Sequence, residues 1–273
     1  MSRFVARGQG VTLLELLIVL MILSLILTAA VKTWDVTLER GRFESTRKRL
    51  EQLGTAITGD ANYVVNGRRV DFGFVGDMGR LPNSLKELVV APTVSPPESS
   101  RWKGPYLRAT FSESPETYRT DGWGDTIIYN RDSMFLRSYA GRGLADRTVW
   151  MTQYLGFSQS ELLSDSVEVR VVDVHGATPP PNDTILSSLR VVLRRPFEGL
   201  PHTDTLRGTQ MTDDAFWFYF VPQGTDLVRA YYIRFAPPPP ETIASATADV
   251  TVYPRIGARD VTLRLNLDWN SLP

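Results

Sequence analysis

Hydrophobic positions form one long block near the start of the chain and several short blocks near its end. The long block covers residues 11–31 and contains one acid, Glu15. At about 1.5 Å per helical residue it spans about 30 Å, the thickness of the hydrocarbon core of a bilayer. Arg3 and Arg7 precede the block. We therefore predict a transmembrane helix at residues 11–31, with the rest of the chain outside the inner membrane.

Glu15 is out of place in this block. A carboxylate within a lipid-spanning helix costs up to about 3 kcal/mol on insertion scales. Its presence therefore predicts a partner inside the membrane.

The helical pattern continues beyond the span. Phe43, Leu50, Leu53 and Ile57 recur at spacings of seven, three and four, and charged residues fill the other faces. The pattern predicts one long helix whose second part is amphipathic.

The middle of the chain gives weaker signals. Four glycines between residues 67 and 79 indicate an irregular loop, and Ser84 with Glu87 forms a capping-box pattern for a short helix that carries Leu85 and Leu88. Residues 156–164 show little structural signal.

After about Asp165 the hydrophobic residues alternate with period two, which predicts strands. The alternating runs cover residues 167–172, 189–193, 216–221, 228–233, 248–252 and 261–267. About six or seven short strands with turn-rich connections predict an antiparallel sandwich. The predicted fold class is α+β, with a long N-terminal helix and small antiparallel sheet followed by an all-β sandwich.

Composition limits the range of functions. The 273 residues include 30 basic and 30 acidic side chains, interspersed and with a net charge of zero, so no electrostatic footprint for nucleic acid is present. Proteins are the expected partners. Cysteine is absent, so stability outside the cytoplasm does not come from disulfides.

No pattern in the sequence predicts catalysis. His175 and His202 fall at predicted turns without neighbouring metal ligands. Asp213, Asp214 and Asp226 are assigned to turn regions, where acids are usually solvated. The chain has no phosphate-binding glycine loop followed by Lys-Ser/Thr. We expect no enzyme and no cofactor.

The start of the block resembles the class III leader of type IV pilins and type II secretion pseudopilins. The resemblance rests on Gly10, on Val11 to Glu15 and on the apolar run that follows. It implies that a membrane prepilin peptidase cuts between Gly10 and Val11 and methylates the new amine. It also implies that Glu15 neutralises the amine of a neighbouring subunit during assembly.

Val11 departs from the Phe or Met that usually begins the mature family members. Two other interpretations stay open. One is a secretory signal cleaved after Thr28-Ala29-Ala30, against which the acid and the length of the block argue. The other is a generic signal anchor, which explains the length but not the spacing of glycine and glutamate.

Four further motifs resemble the major pseudopilin of type II secretion, over residues 10 to about 145. They are Leu85 to Val90, Gly104 to Leu107, Asp121 to Tyr129, and Ser138-Tyr139 with Gly141 and Gly143. The candidate structural residues of these motifs are Trp102, Tyr106, Asp121, Trp123, Gly124 and Tyr129.

The turn at Asp121 has a structural chemistry. Asp121 can accept local backbone hydrogen bonds, Gly122 and Gly124 tolerate positive φ, and Trp123 offers a large ring for packing. A sugar-stacking role for Trp102 or Trp123 is the alternative.

Major pseudopilins bind calcium in the loop after the Tyr strand. Here that loop contains Met134 and Arg142, and arginine supplies no oxygen ligand. Asp132 and Asp146 are the acids left nearby, so we predict no metal site.

The C-terminal third resembles carboxypeptidase-regulatory-like domains, at residues 171–176, 216–224 and 261–265. An immunoglobulin-like sandwich is the alternative, since alternation does not separate these topologies.

The predicted organisation is a leader at 1–10, a span at 11–31, a periplasmic helix and pseudopilin head at 32–160, and a sandwich at 165–273. The predicted function is a pseudopilin that polymerises with its own copies and with other pseudopilins on an inner-membrane assembly platform. The alternatives are a minor pilin of a type IV pilus and a membrane-tethered periplasmic binding module that never polymerises.

Overall fold

The computed structural model describes residues 13–96, 100–107, 116–235 and 239–272. It begins with one unbroken helix, α1, at Leu13–Thr58. The side chains of residues 13–38 are exposed, whereas Leu50, Leu53 and Ile57 are buried in a core. The predicted long helix and its apolar face are therefore confirmed, with Phe43 at the margin of that face.

A small head packs against the second half of α1. Its helix and strands are β1 (Val64–Val65), β2 (Arg68–Arg69), α2 (Gly73–Met78), β3 (Ile128–Asn130), β4 (Phe135–Ser138), β5 (Met151–Tyr154) and α3 (Gln159–Leu163). Short 3₁₀ turns lie at Leu85–Leu88, Thr117–Arg119 and Arg147–Val149. Strands β3, β4 and β5 form an antiparallel sheet in that order, and Leu136 and Leu155 join Leu53 in the core.

The rest of the chain is a two-layer sandwich. It contains β6 (Asp165–Val172), α4 (Asp183–Ser188), β7 (Leu189–Phe197), β8 (Leu200–Arg207), β9 (Phe216–Val221), β10 (Gly224–Arg234), β11 (Glu241–Val252) and β12 (Ala258–Arg264). One sheet has the order β11-β10-β7-β8 and the other β12-β6-β9. Both sheets contribute to one core, in which Val169, Phe216 and Leu193 are fully buried. The α+β class is confirmed.

Close backbone contacts join the head to the sandwich. Gln223 is completely buried, and its side-chain amide donates to the carbonyls of Thr58 (2.9 Å) and Phe72 (3.2 Å), near the end of α1. Gly79 has a φ of +64°, and a Cβ there would lie 2.4 Å from the carbonyl oxygen of Pro196. The hairpin β7–β8 thus rests directly on the residue that ends α2.

Several local predictions are wrong. The span 67–79 is not an irregular loop, because it contains β2 and α2. Ser84 makes no side-chain cap; the carboxylate of Glu87 instead binds the buried guanidinium of Arg80 at 2.8 Å. A capping box lies in the segment with little signal, where Ser158 caps α3 and Glu161 bonds back to it.

Three predictions about the sandwich also need correction. Strands β6 and β12 run parallel, so the sandwich is not wholly antiparallel. His202 lies in β8 and not in a turn. Asp226 lies within β10, where its side chain is buried, and not in a solvated turn.

The two cores share no residue: the sandwich core draws on residues 167–272 and the head core on residues 50–163. We therefore expect a fragment of residues 165–273 to fold alone, giving a cooperative thermal transition with β-type circular dichroism. Phe216→Ala empties a fully buried site and should lower the transition midpoint, since such changes cost about 3–5 kcal/mol. A fragment that stays unfolded would mean that these strands complete the head.

Candidate functional site

The candidate assembly site is the first half of α1. Gly10 and Val11, the predicted cleavage and methylation residues, lie outside the described residues. Glu15 occupies the first turn of the helix, exposed on its surface. A carboxylate in this turn is favoured by the partial positive charge of the helix N-terminus.

The surface around Glu15 suits lipid or other apolar helices. The most apolar 18-residue window of α1 has a mean hydropathy of 2.7, and none of it is buried inside the protein. Hydroxyls are satisfied within the helix: Ser24 donates to the Met21 carbonyl and Thr28 to the Ser24 carbonyl, both at 2.8 Å. Such bonds remove the cost of a bare hydroxyl in hydrocarbon.

The exposed apolar surface extends past the predicted end of the span. Trp34, Val36 and Leu38 are 69%, 66% and 46% exposed. The first contacts with the head begin immediately after them. The helix is therefore apolar on its outside up to the point where the head takes hold.

The contact between the head and α1 is made by the turn at Asp121, a residue that is 4% exposed. Its Oδ1 accepts from the backbone N–H groups of Trp123 and Asp125, both at 2.9 Å. Its Oδ2 accepts from the hydroxyl of Ser138 on β4 at 2.6 Å. The carboxylate therefore accepts local backbone hydrogen bonds and also ties the turn to the sheet.

The turn at Asp121 contacts one face of α1. The Gly122 N–H donates to Thr46 Oγ1 at 2.8 Å, and the Arg49 guanidinium donates to the Thr120 carbonyl. The Trp123 ring packs edge-on against Phe43 with centroids 4.8 Å apart. Its indole N–H donates to Glu39 at 3.2 Å.

The two glycines of the turn act differently. Gly124 has a φ of +90°. Gly122 does not have positive φ; it is required because a Cβ there would lie 2.6 Å from the Arg42 carbonyl oxygen on α1. Close approach of two backbones sets this position.

Trp102 and Tyr106 lie elsewhere, between α2 and the 3₁₀ turn at Leu85–Leu88. The Trp102 indole donates to the Glu87 carbonyl at 2.9 Å, and the Tyr106 hydroxyl donates to Asp77 at 3.0 Å. Burial raises the pKa of Tyr106, and Asp77 adds to this. The motif residues therefore serve two separate packing points and form no single site.

Tyr129, on β3, belongs to neither point. Burial raises its pKa, and its hydroxyl has no hydrogen-bond partner among the described residues. In the loop between β4 and β5, Asp146 accepts from the N–H of Thr148 at 3.0 Å and caps a 3₁₀ turn. The described residues contain no group of three or more His, Cys, Asp or Glu placed to hold a metal.

Asp226 is a buried acid that was predicted to be solvated. Its side chain is 3% exposed, and neither carboxylate oxygen has a hydrogen-bond partner within the described residues. Burial raises its pKa to about 7, against the opposing attraction of Arg101 and Arg195. The alternation along β10 indicates that Asp226 is buried, because it lies on the same face of the strand as the buried Val228 and Ala230.

Comparison with known proteins supports the N-terminal assignment. A profile of the prokaryotic N-terminal methylation motif matches residues 6–31. The chain therefore has a type IV pilin-like N-terminus, which supports a type IV pilin-like filament subunit. This match and the long apolar helix are compatible with a single-pass membrane anchor.

One solved structure is similar to part of the chain, a Pseudomonas aeruginosa protein for which carbohydrate binding has been suggested. The match has 12% identity and a TM-score of 0.25, and covers 38% of this chain and 90% of that one. A score this low does not establish a shared fold. No curated protein matches the chain. The likeness of the sandwich to carboxypeptidase-regulatory-like domains stays a prediction.

Asp121→Ala should detach the turn from α1. The change leaves three donors unmatched, so we expect a loss of about 3 kcal/mol in the free energy of unfolding, measured by urea denaturation in detergent. Asp125→Ala is the matched control, because this acid is exposed and lies four residues later in the same turn. This change should lower the free energy of unfolding by less than about 0.5 kcal/mol. Equal effects would show that the carboxylate does not hold the turn.

Asp226 should make stability depend on pH. Its pKa lies above the ordinary 3.8, so ionisation favours the unfolded chain, and stability falls as pH rises from about 4 to 7. The facing groups are Arg195 on β7, which also binds Asp204, and Arg101. Asp226→Asn should therefore raise the melting temperature at pH 8 but not at pH 4.

Exposed Asp249 on β11 supplies the control, as Asp249→Asn should change neither melting temperature. The buried-acid explanation fails if Asp226→Asn has the same effect at both pH values.

Proposed function

We propose that the protein is a structural subunit of a type IV filament, of the type II secretion pseudopilin kind. The observation that carries the proposal is the unbroken helix α1. Its first half matches the methylation motif and exposes an apolar surface, while its second half is built into the head. Such a helix can pack against copies of itself in a filament while the head and sandwich stay outside.

The proposed function has two stages, processing in the membrane and assembly into a polymer. A prepilin peptidase cuts after Gly10, and the span holds the subunit in the inner membrane with its C-terminal domains in the periplasm. An assembly platform then adds it to a polymer of its own copies and other pseudopilins. In the polymer, Glu15 pairs with the methylated amine of a neighbour, because a carboxylate in an apolar setting needs a counter-charge. The mechanism is assembly and involves no turnover.

Glu15 is the residue to change. Glu15→Gln keeps the shape and removes the charge, so the protein should insert and be processed but should form at least about tenfold fewer multimers, since a charged hydrogen bond contributes about 1.5–3 kcal/mol. Multimers are measured by formaldehyde cross-linking of intact cells. Glu15→Asp is the matched control and should retain part of the assembly.

Intact mass must show Val11 as the first residue in the natural protein and in both variants, so that a processing defect is not mistaken for an assembly defect. A first residue at Met1 or Val31 would contradict the prepilin assignment. Undiminished multimers in Glu15→Gln would contradict the pairing. If no variant and no natural protein forms multimers while all stay in the membrane, the protein is a tethered binding module.

A further inference from the structure

The outer face of the four-stranded sheet carries four arginines. Arg190 and Arg194 lie on β7, Arg207 on β8 and Arg229 on β10. The register places Arg190 directly opposite Arg207, while Arg229 stands opposite Val192. Arg190 and Arg194 are four residues apart on one strand, or about 13 Å. The positive charges therefore extend across three strands.

These arginines lack the acids that accompany other arginines of the protein. Within the described residues none of the four forms an ion pair, whereas Arg195, on the inner face of the same strand, binds Asp204 at 2.6 Å. Burial lowers the pKa of Arg190, and repulsion from Arg207 lowers it further. Among the described residues that pair across the sheet in line with Arg190, Arg194 or Arg229, the one acid is Asp249, which lies opposite Leu227. The face is thus strongly positive on a chain with no net charge.

A cleft of about 480 Å³ lies among these side chains. Val192 and Leu227 form an apolar floor, and Arg194, Arg229, Tyr231 and Thr247 surround it. The arginine fork matches the geometry of a carboxylate, and threonine hydroxyls can exchange hydrogen bonds with sugar hydroxyls. An aromatic ring and an apolar floor suit the C–H face of a sugar.

We propose that this face binds an acidic polysaccharide, with Arg194 and Arg229 holding carboxylates of successive sugars and the cleft receiving the ring between them. An extended polymer fits better than a small ion, because the positive charge continues from Arg194 and Arg229 to Arg190, which lies about 13 Å from Arg194 along β7. Lipid headgroups of the membrane that holds the span are less suitable. Nineteen helical residues separate Val31, the end of the predicted span, from Leu50, the first residue of the head core, which is about 28 Å.

The test measures binding of an oligogalacturonate, a polymer with one carboxylate per sugar, to the full chain in detergent micelles. The fully methyl-esterified oligomer is the neutral probe, because it keeps the sugars and removes the charge. We expect the acidic probe to bind and to weaken with added salt, and the esterified probe to bind at least tenfold more weakly.

The double variant Arg194→Gln/Arg229→Gln removes two exposed side chains from the cleft and should weaken binding at least tenfold, since each charge-assisted contact contributes about 1 kcal/mol or more. The control is Arg68→Gln/Arg264→Gln. It removes two exposed strand arginines, on β2 and β12, with the same change in net charge. Binding by the control should stay within twofold of the natural protein, and both variants should keep its melting temperature.

The proposal is overturned if the cleft variant binds as well as the control, or if the esterified probe binds as well as the acidic one. It is also overturned if single-stranded DNA of equal charge binds as tightly through the same arginines, which would make the face a general polyanion surface. Tighter binding to vesicles with anionic headgroups would assign the face to lipid. None of these readouts requires polymerisation, so failure here leaves the proposed filament function standing.

Discussion

The structure depends on one helix that meets two different surroundings. The first half of α1 buries nothing within its own chain, and the second half supplies Leu50, Leu53 and Ile57 to the head core. A helix of 46 residues can do both because its backbone bonds are satisfied internally along its whole length. The first half can therefore exchange lipid for neighbouring helices without rearranging the head.

The docking of the head on this helix also fixes the sandwich. The Asp121 turn holds α1 from Glu39 to Arg49, and the end of α1 in turn accepts the amide of the buried Gln223. Met78, at the end of α2, accepts from the Gly199 N–H of the β7–β8 hairpin at 2.7 Å. These contacts join the span, head and sandwich in series.

The parts that sequence predicted are those set by strong periodicity. Helix α1 and the inner strands of the sandwich each bury an apolar face, and that requirement shows directly in the spacing of residues. Strand β8 was missed because its side chains are partly or fully exposed along its whole length and include Pro201, His202 and Asp204. It forms because it pairs with the edge of β7, and such pairing is a tertiary interaction that the local sequence does not show.

Predictions from local sequence patterns were wrong where an interaction with a residue outside the pattern determined the structure. The carboxylate of Glu87 binds the guanidinium of Arg80 and the backbone N–H of Asn83, and not the N–H of Ser84 that a capping box would use. In β9, alternation predicts that Phe220 points inward with Phe216 and Phe218. A register shift against β6 instead turns Tyr219 and Phe220 outward together, with Phe220 72% exposed at a φ of +59°. Bulges of this kind re-aim side chains and leave no mark on the hydrophobic pattern.

The arginines of the outer sheet face are a choice that the fold does not impose. The inner positions of β7, Leu189, Val191 and Leu193, fix the register, because a slip of one residue would bring arginines into the core. The outer positions need only be polar enough to face solvent. At such positions β11 carries the uncharged residues Ser245 and Thr247. Mutual repulsion between Arg190 and Arg207 makes their pairing worse than neutral for the sheet. A folding requirement therefore does not account for them, whereas the proposed acidic ligand would.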